Sequence, residues 1–456
     1  MNPAIFREYD IRGIVGQDFN LEEVEEIGRG YATYLGRHGG KTCVVGRDGR
    51  LSSPAIREAL IQGLRKSGAN VIDVGLCPTP VLYFALRHLH ADGGVMITAS
   101  HNPPEYNGFK VCLGYDTIFG DQIQNLKTVI TAAQYAIGNG SLGEQDMMSA
   151  YADVLVHNIR LERPVSLAVD AGNGTGGLTA GPILKRLQCN PVELFMEPDG
   201  TFPHHEPDPT VPRNLASLAQ TVVAQGLELG IAFDGDADRL GVVDEGGRIL
   251  YGDLLLILFA RDILKNHPGG KFIGEVKCSQ VMYDDIRARG GIPIMWKTGH
   301  SLIKQKLKEE QALLAGEMSG HFFFRHRYFG FDDALYAACR LLEILSRDRR
   351  PLSDYLADLP RTYNTPEIRV ECPEERKFHL VAKVKQRLPD QYQVIDIDGV
   401  RVVFPDGWGL VRASNTSPVI VLRFEAETES RLQEIRGLVE SAIAQAGAEL
   451  SENPSQ

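Results

Sequence analysis

Gly94-Val95-Met96-Ile97-Thr98-Ala99-Ser100-His101-Asn102-Pro103 is the stretch around which the chain is ordered. Its apolar, β-branched run up to Ile97, bounded by glycine and proline, predicts a buried strand, so the polar residues beyond it fall on the loop at the strand's carboxyl end. Open α/β sheets hold their ligands there. Ser100 is a hydroxyl beside the imidazole of His101, and the Asn102-Pro103 turn would hold it out from the scaffold. A plain strand-ending turn accounts for the same residues, so the reading depends on the other loops.

Outward from this stretch, one order recurs three times: a strand into a polar loop and helix, a second strand, then a third strand ending in a polar loop. Cys43-Val44-Val45-Gly46, Val71-Ile72-Asp73-Val74 and Val95-Met96-Ile97 deliver Ser100. Leu167-Ala168-Val169-Asp170, Val192-Glu193-Leu194 and Leu229-Gly230-Ile231-Ala232-Phe233 deliver Asp234-Gly235-Asp236-Ala237-Asp238-Arg239. Phe272-Ile273-Gly274-Glu275-Val276, Ile292-Pro293-Ile294-Met295-Trp296 and Ala312-Leu313-Leu314-Ala315 deliver Gly316-Glu317-Met318-Ser319-Gly320-His321. Repetition on this scale predicts three α/β units of related topology whose loops can meet in one cleft.

In the first unit, helices are expected over 21–38 and 53–67, the second started by Ser52 as N-cap with Pro54 in its first turn. After residue 363 the texture changes, with strands expected at 367–370, 393–395 and 400–403 and helices near 377–387 and 429–445. This pattern predicts a smaller α+β domain with a frayed end over 447–456.

A chain of 456 residues is long enough for three or four cores. With 43% apolar and 23% charged residues it reads as globular. The net charge of -11 argues against nucleic acid or anionic lipid as a partner, while a local basic pocket can still grip a small anion. Seven scattered cysteines without C-x-x-C spacing read as buried or free thiols, not as a disulfide framework or a zinc cluster. The longest wholly apolar run, 254–260, is too short to span a bilayer, and Met1-Asn2-Pro3-Ala4 lacks a signal pattern. A cytoplasmic monomer with no membrane partner is expected.

Asp234, Asp236 and Asp238 alternate on a segment kinked by Gly235, so three carboxylates can converge on a hard cation, and Mg²⁺ suits such oxygen ligands. A solvated acidic turn is the alternative; it would place three carboxylates directly after a buried strand at electrostatic cost. Arg239 next door could reach a phosphoryl group. The loop of Glu317, Ser319 and His321 offers donors and acceptors suited to vicinal sugar hydroxyls, or is a plain turn. Arg412, Ser414, Asn415 and Thr416 suit a phosphate dianion, or form a capped polar turn. Lys277, Lys297 and His300 read individually as surface cations.

Three further patterns are set aside. Asp170-Ala171-Gly172-Asn173-Gly174-Thr175-Gly176-Gly177 imitates a dinucleotide fingerprint but occupies the slot of a tight strand-to-helix turn. Gly39-Gly40-Lys41-Thr42 precedes a strand and lacks the first P-loop glycine, which is Leu35. His204-His205-Glu206, among prolines 203, 207 and 209, reads as a rigid surface loop before it reads as a zinc site.

With these motifs in order, from Tyr9-Asp10-Ile11-Arg12-Gly13 to Arg412-Ala413-Ser414-Asn415-Thr416, the chain resembles the α-D-phosphohexomutase superfamily, most closely its bacterial bifunctional phosphomannomutase/phosphoglucomutase group. The resemblance implies an α/β fold of four domains around a central cleft, divided at 1–146, 147–248, 249–360 and 361–456, the first three sharing a related α/β core. It implies reversible phosphoryl transfer between C1 and C6 of hexose 1- and 6-phosphates through phosphorylated Ser100, with Mg²⁺ and a hexose 1,6-bisphosphate activator. Ser100, Asp234, Asp236 and Asp238 would hold the metal, and Arg239 the moving phosphoryl group. Lys110 and His321 would carry protons, with His101 beside the serine. Glu317 and Ser319 would read sugar hydroxyls, Arg412, Ser414, Asn415 and Thr416 would hold the stationary phosphate, and Tyr9, Arg12, Lys277 and His300 would line the cleft.

The transfer needs one clamp to accept either end of the sugar, which predicts donors on a mobile C-terminal domain joined near residues 360–363. Ala237 and Ala99 stand where many or some relatives carry glycine, and Met318 fits hexose enzymes better than phosphoglucosamine mutases. A phosphoglucosamine mutase, a phosphatase using the same serine and a silent sugar-phosphate binding protein are the competing readings.

Overall fold

The computed structural model describes residues 1–388, 391–415 and 417–452; Thr416 lies outside them. In the first sheet the strand Thr42–Arg47 runs parallel between Asn70–Leu76 and Gly93–Ile97, and Tyr106–Leu113 adds antiparallel to Gly93–Ile97. The same arrangement recurs in the second sheet, where Leu167–Asp170 lies between Val192–Leu194 and Leu229–Phe233, with Leu240–Asp244 returning antiparallel. In the third sheet Lys271–Glu275 lies between Ile292–Trp296 and Leu314–Gly316, with Phe322–Phe324 antiparallel. Each reversal from the third strand to the fourth is a short loop at a carboxyl edge, and these three loops carry Ser100, the aspartates and Glu317.

The three-unit repeat read from the sequence is thus an identity of strand order. Buried central strands explain the unbroken apolar runs, because parallel strands covered on both faces leave no polar side to alternate. The run at 254–260 is the apolar centre of the helix Gly252–Leu264, whose residues 255–260 are buried in a core cluster. Among the described residues no helix is long and apolar enough to cross a membrane. All seven cysteines are buried and free.

The helix after the first strand spans Ser53–Lys66, but Ser52 does not cap it. Ser52 has helical backbone angles, and its hydroxyl accepts a hydrogen bond from Asn107 Nδ2 at 2.9 Å. Ser53 Oγ instead donates to Asp48 Oδ1 at 2.6 Å, so the two serines tie the helix start to neighbouring loops.

The C-terminal sheet is antiparallel, with Val419–Ala426 and Gly407–Ala413 at its centre, Val400–Phe404 and Gln393–Ile395 beyond, and Ile368–Glu371 on the other side. Helices Glu374–Arg387 and Glu429–Glu452 cover one face with an apolar core that includes Val384, Phe424 and Val439. The other face packs Trp408 and Leu410 against Val276 of the third sheet. The second helix continues as far as Glu452, beyond the frayed end expected from 447.

Candidate active site

Ser100 leaves its strand with φ at +51°, in the left-handed region that a non-glycine residue enters at a cost of about 1–2 kcal/mol. Two contacts hold it there: its N–H donates to Thr98 Oγ1 at 2.8 Å, and Arg50 grips the loop from below. The fully buried Arg50 guanidinium donates to the carbonyls of Ser100, Asn102, Pro103 and Tyr106 at 2.6–3.1 Å and is paired with Asp48. Ser100 is itself buried, and its hydroxyl donates to Asp234 Oδ2 at 2.6 Å. His101 Nδ1 lies 3.0 Å from the same oxygen. Burial, then the positive charges of Arg239 and Arg12, pull the His101 imidazole well below its ordinary range, so it stands neutral beside the hydroxyl.

Asp234, Asp236 and Asp238 are all inaccessible to solvent, and each brings an oxygen within 4.8 Å of the others. Asp234 Oδ1 accepts from the backbone N–H groups of Asp238 at 3.0 Å and Arg239 at 3.1 Å, which closes the loop on itself. Lys110, from the strand Tyr106–Leu113, donates to Asp236 Oδ2 at 2.6 Å and to Asp238. Thr79 donates to Asp236 Oδ2 at 2.6 Å. Burial and the two neighbouring carboxylates push Asp234 up; Asp238 is driven down because Lys110, then His321, outweigh its own burial. Oδ1 of Asp236 is buried and has no hydrogen-bond partner among the described residues. Three carboxylates with an unused lone pair form an oxygen-donor set that fits a divalent cation.

Arg239 and His321 form a backbone bridge, and Leu240 N–H donates to Gly320 O at 2.9 Å, which joins the acidic loop to the third loop. His321 lies between Glu317 Oε2 at 2.6 Å and Asp238 Oδ1 at 3.1 Å. Burial alone would lower its pKa, but these two carboxylates raise it to about 9, leaving an imidazolium at neutral pH. His300 is 9% and Lys277 6% exposed, so neither is the surface cation that its sequence context suggests; only Lys297 is exposed. A glycine turn buries His300 at the start of the helix His300–Glu309, and its ring centroid lies 6.0 Å from that of His321. Lys277 donates to Glu367 Oε2 at 3.0 Å.

The C-terminal sheet closes the group from the far side. Arg412 Nε donates to Asp398 Oδ2 at 3.1 Å, and Thr298 N–H donates to the same oxygen at 3.0 Å. Asn415 Nδ2 donates to the Tyr9 hydroxyl, which in turn donates to Thr298 O, both at 2.8 Å. Arg12 donates to Asn102 Oδ1 at 2.7 Å on the serine loop. Ser319 is half-buried at its loop tip, and Ser414 is buried beside Arg412.

Ser100, Asp234, Asp236, Asp238, Lys110, Arg239, Glu317 and His321 are thus joined in one connected group, while Lys297 stands outside it. Sequence reasoning missed Arg50, Thr79, Thr298, Asp398 and Glu275, whose Oε2 accepts from Lys277 N–H and from Thr298 Oγ1, both at 2.8 Å; these five hold the others in place. Arg50 carried a usable signal, since Arg47-Asp48-Gly49-Arg50 is the same kind of strand-ending polar loop as those of Ser100 and the aspartates. His205 pairs with Asp170 at 3.1 Å, and His204 bonds Asn173 at 2.7 Å.

Four family models cover the chain in order. Alpha/beta/alpha domains I, II and III of phosphoglucomutase/phosphomannomutase match residues 3–136, 149–247 and 251–363, and the C-terminal domain of the same family matches 367–441. The chain belongs to the phosphoglucomutase/phosphomannomutase family. It is 47% identical over 434 residues to the phosphomannomutase/phosphoglucomutase of Pseudomonas aeruginosa, covering 95% of this chain and 94% of that one. It is 47% identical to the phosphoglucomutase of Neisseria gonorrhoeae over 96% of both chains. A solved phosphoglucomutase/phosphomannomutase family protein from Burkholderia thailandensis superposes with a TM-score of 0.93 at 45% identity, over 98% of each chain.

Ala237 adopts φ of +59° with its methyl buried. The chain therefore keeps the left-handed turn without the residue that makes it cheap.

Proposed function

We propose that the chain is a hexose phosphate mutase, an isomerase that transfers a phosphoryl group reversibly between C1 and C6 of glucose or mannose phosphates. The observation that carries this reading is the buried Ser100 hydroxyl 2.6 Å from Asp234, at the head of three converging carboxylates. Phosphoryl transfer depends on positioning and on neutralising charge around the moving group more than on covalent chemistry by the protein.

Asp234, Asp236 and Asp238, with an oxygen of phosphorylated Ser100, would hold Mg²⁺. The cation would neutralise charge on the transferring group. Asp234 accepts the hydrogen bond of the Ser100 hydroxyl and so orients its oxygen, with neutral His101 beside the same oxygen at 3.0 Å. Arg239 stands beside the acidic loop to meet the equatorial oxygens. His321, protonated between Glu317 and Asp238, can give a proton to a sugar oxygen, and Lys110 balances the carboxylates. Glu317 and Ser319 would accept from sugar hydroxyls. Arg412, Ser414, Asn415 and Thr416 would hold the second phosphate, with Tyr9, Arg12, Lys277 and His300 completing the wall. A hexose 1,6-bisphosphate formed in transit would turn end for end before returning phosphate to Ser100, and the same bisphosphate would prime the enzyme. We place the functional units at 1–146, 147–248, 249–360 and 361–456 and take the enzyme as a cytoplasmic monomer.

A coupled assay offering glucose, mannose and glucosamine 1-phosphates in parallel, with bisphosphate activator, tests this reading. Turnover of glucose or mannose phosphate is expected, with little inorganic phosphate released. Phosphate release matching sugar turnover would instead indicate a phosphatase, and preference for the glucosamine substrate a phosphoglucosamine mutase. Intact-mass analysis should find one phosphoryl group on the wild type and none on Ser100→Ala.

A further inference from the structure

Two buried arginines of the C-terminal sheet have no part in the chemistry above. Arg401 and Arg423 both lie opposite Leu410 in the sheet register, so they share a face, and Arg412, two residues along the strand from Leu410, shares it too. That face meets the end of the strand Lys271–Glu275. Arg401 Nη1 donates to the carbonyl of Val276 at 2.6 Å and to that of Cys278 at 2.8 Å. Arg423 donates to the carbonyl between them, that of Lys277, while it also meets Met318 Sδ and pairs with Asp253 Oδ2 at 3.4 Å. Guanidinium groups from another sheet thus hold three consecutive carbonyls centred on Lys277.

Arg401 is fully buried and has no ion pair among the described residues; its partners there are these carbonyls, Gln280 Oε1 at 3.3 Å and the rings of Trp408, 3.8 Å away, and Tyr283, 5.9 Å away. A buried guanidinium is costly unless dipoles surround it, and these dipoles are in place only while the C-terminal sheet sits on the Lys277 turn. We infer that Arg401 and Arg423 are positioning residues that fix the spacing between the Lys277 turn and Arg412, so that the phosphate clamp and Lys277 engage the substrate as one unit. The inference rests on the reading above that Lys277 and Arg412 meet the substrate.

A double-mutant cycle on the full-length enzyme tests it. Arg423→Lys keeps the charge and loses the fork, and it should raise KM for glucose 1-phosphate about tenfold in the wild-type background but less than about twofold in Lys277→Ala. Equal effects in the two backgrounds would overturn the inference and leave the mutase reading intact. An unchanged KM in Lys277→Ala alone would overturn the inference together with the substrate role of Lys277. If Arg423→Lys fails to fold, Gln280→Ala removes a peripheral acceptor of Arg401 and should raise KM by about two- to fivefold, again only when Lys277 is present. Hydrogen exchange reads the tie without turnover: the 275–280 amides should exchange faster in the arginine variant, or in Gln280→Ala, and unchanged exchange there would sink the inference even in a protein with no mutase activity.

Discussion

Gly235 passes so close to Ser100 that a methyl group on Gly235 would lie 2.3 Å from the Ser100 carbonyl oxygen. The serine loop and the acidic loop, from different sheets, thus touch backbone to backbone, and this contact sets the distance between the Ser100 hydroxyl and Asp234.

Gly235→Ala should separate the two loops, because the backbone carbonyl it meets cannot rotate aside as a side chain would. Turnover should fall by about 100-fold or more, since small misplacements in an in-line transfer are amplified. The overpacking should cost about 1–3 kcal/mol by urea denaturation. Near-wild-type turnover would mean that the close approach does not govern the geometry.

Arg50→Lys should behave as a site mutation although Arg50 carries no chemistry. One ammonium cannot reach four carbonyls as well as Asp48, so buried acceptors are left unpaired. A loss of roughly 3 kcal/mol in stability is expected, with reduced phosphorylation of Ser100 by bisphosphate. Wild-type phosphorylation kinetics would show that the loop holds its shape without this support.

Chelation of divalent cations should abolish turnover while the melting temperature falls only slightly, because the cores of the sheets do not involve the acidic cluster. Asp236→Asn should weaken Mg²⁺ binding, read by titration calorimetry, by at least about tenfold. Full activity in excess chelator would contradict the metal assignment.

Glu367 should contribute an acid-sensitive share of stability. Lys277 outweighs burial and, with Arg369, lowers its pKa from 4.5 to about 2. Because the folded value lies below the unfolded one, the contribution is fully present above about pH 4.5 and is lost as pH falls toward about 2. Its size is on the order of 3 kcal/mol at most. Glu367→Gln should lower the urea midpoint at pH 7 and flatten its dependence on pH below 4.5. Parallel curves for the two proteins would exclude the pair as the source.

Periodicity and composition were enough to read the three related α/β units, because strands buried on both faces leave unbroken apolar runs and the polar residues that end them stand out. The same contrast revealed Ser100, the aspartates, the Glu317 loop and the Arg412 loop. Ser52 was misread because a serine before a helix is equally able to cap it or to bond a neighbouring strand, and Asn107 is distant in sequence. Lys277 and His300 looked like surface cations because their burial is produced by the C-terminal sheet and Tyr9, which lie far away in the chain.

Taken alone, the sequence determined which residues can do chemistry and which kind of fold presents them, since side-chain type and local pattern are properties of short segments. Only the tertiary structure decided that Arg50 shapes the serine loop, that Thr298 and Asp398 join the C-terminal sheet to the third, and that Arg401 and Arg423 hold the Lys277 turn. Those roles rest on hydrogen bonds to backbone carbonyls and on contacts between distant segments, and a carbonyl has no identity in the sequence until folding places a donor against it.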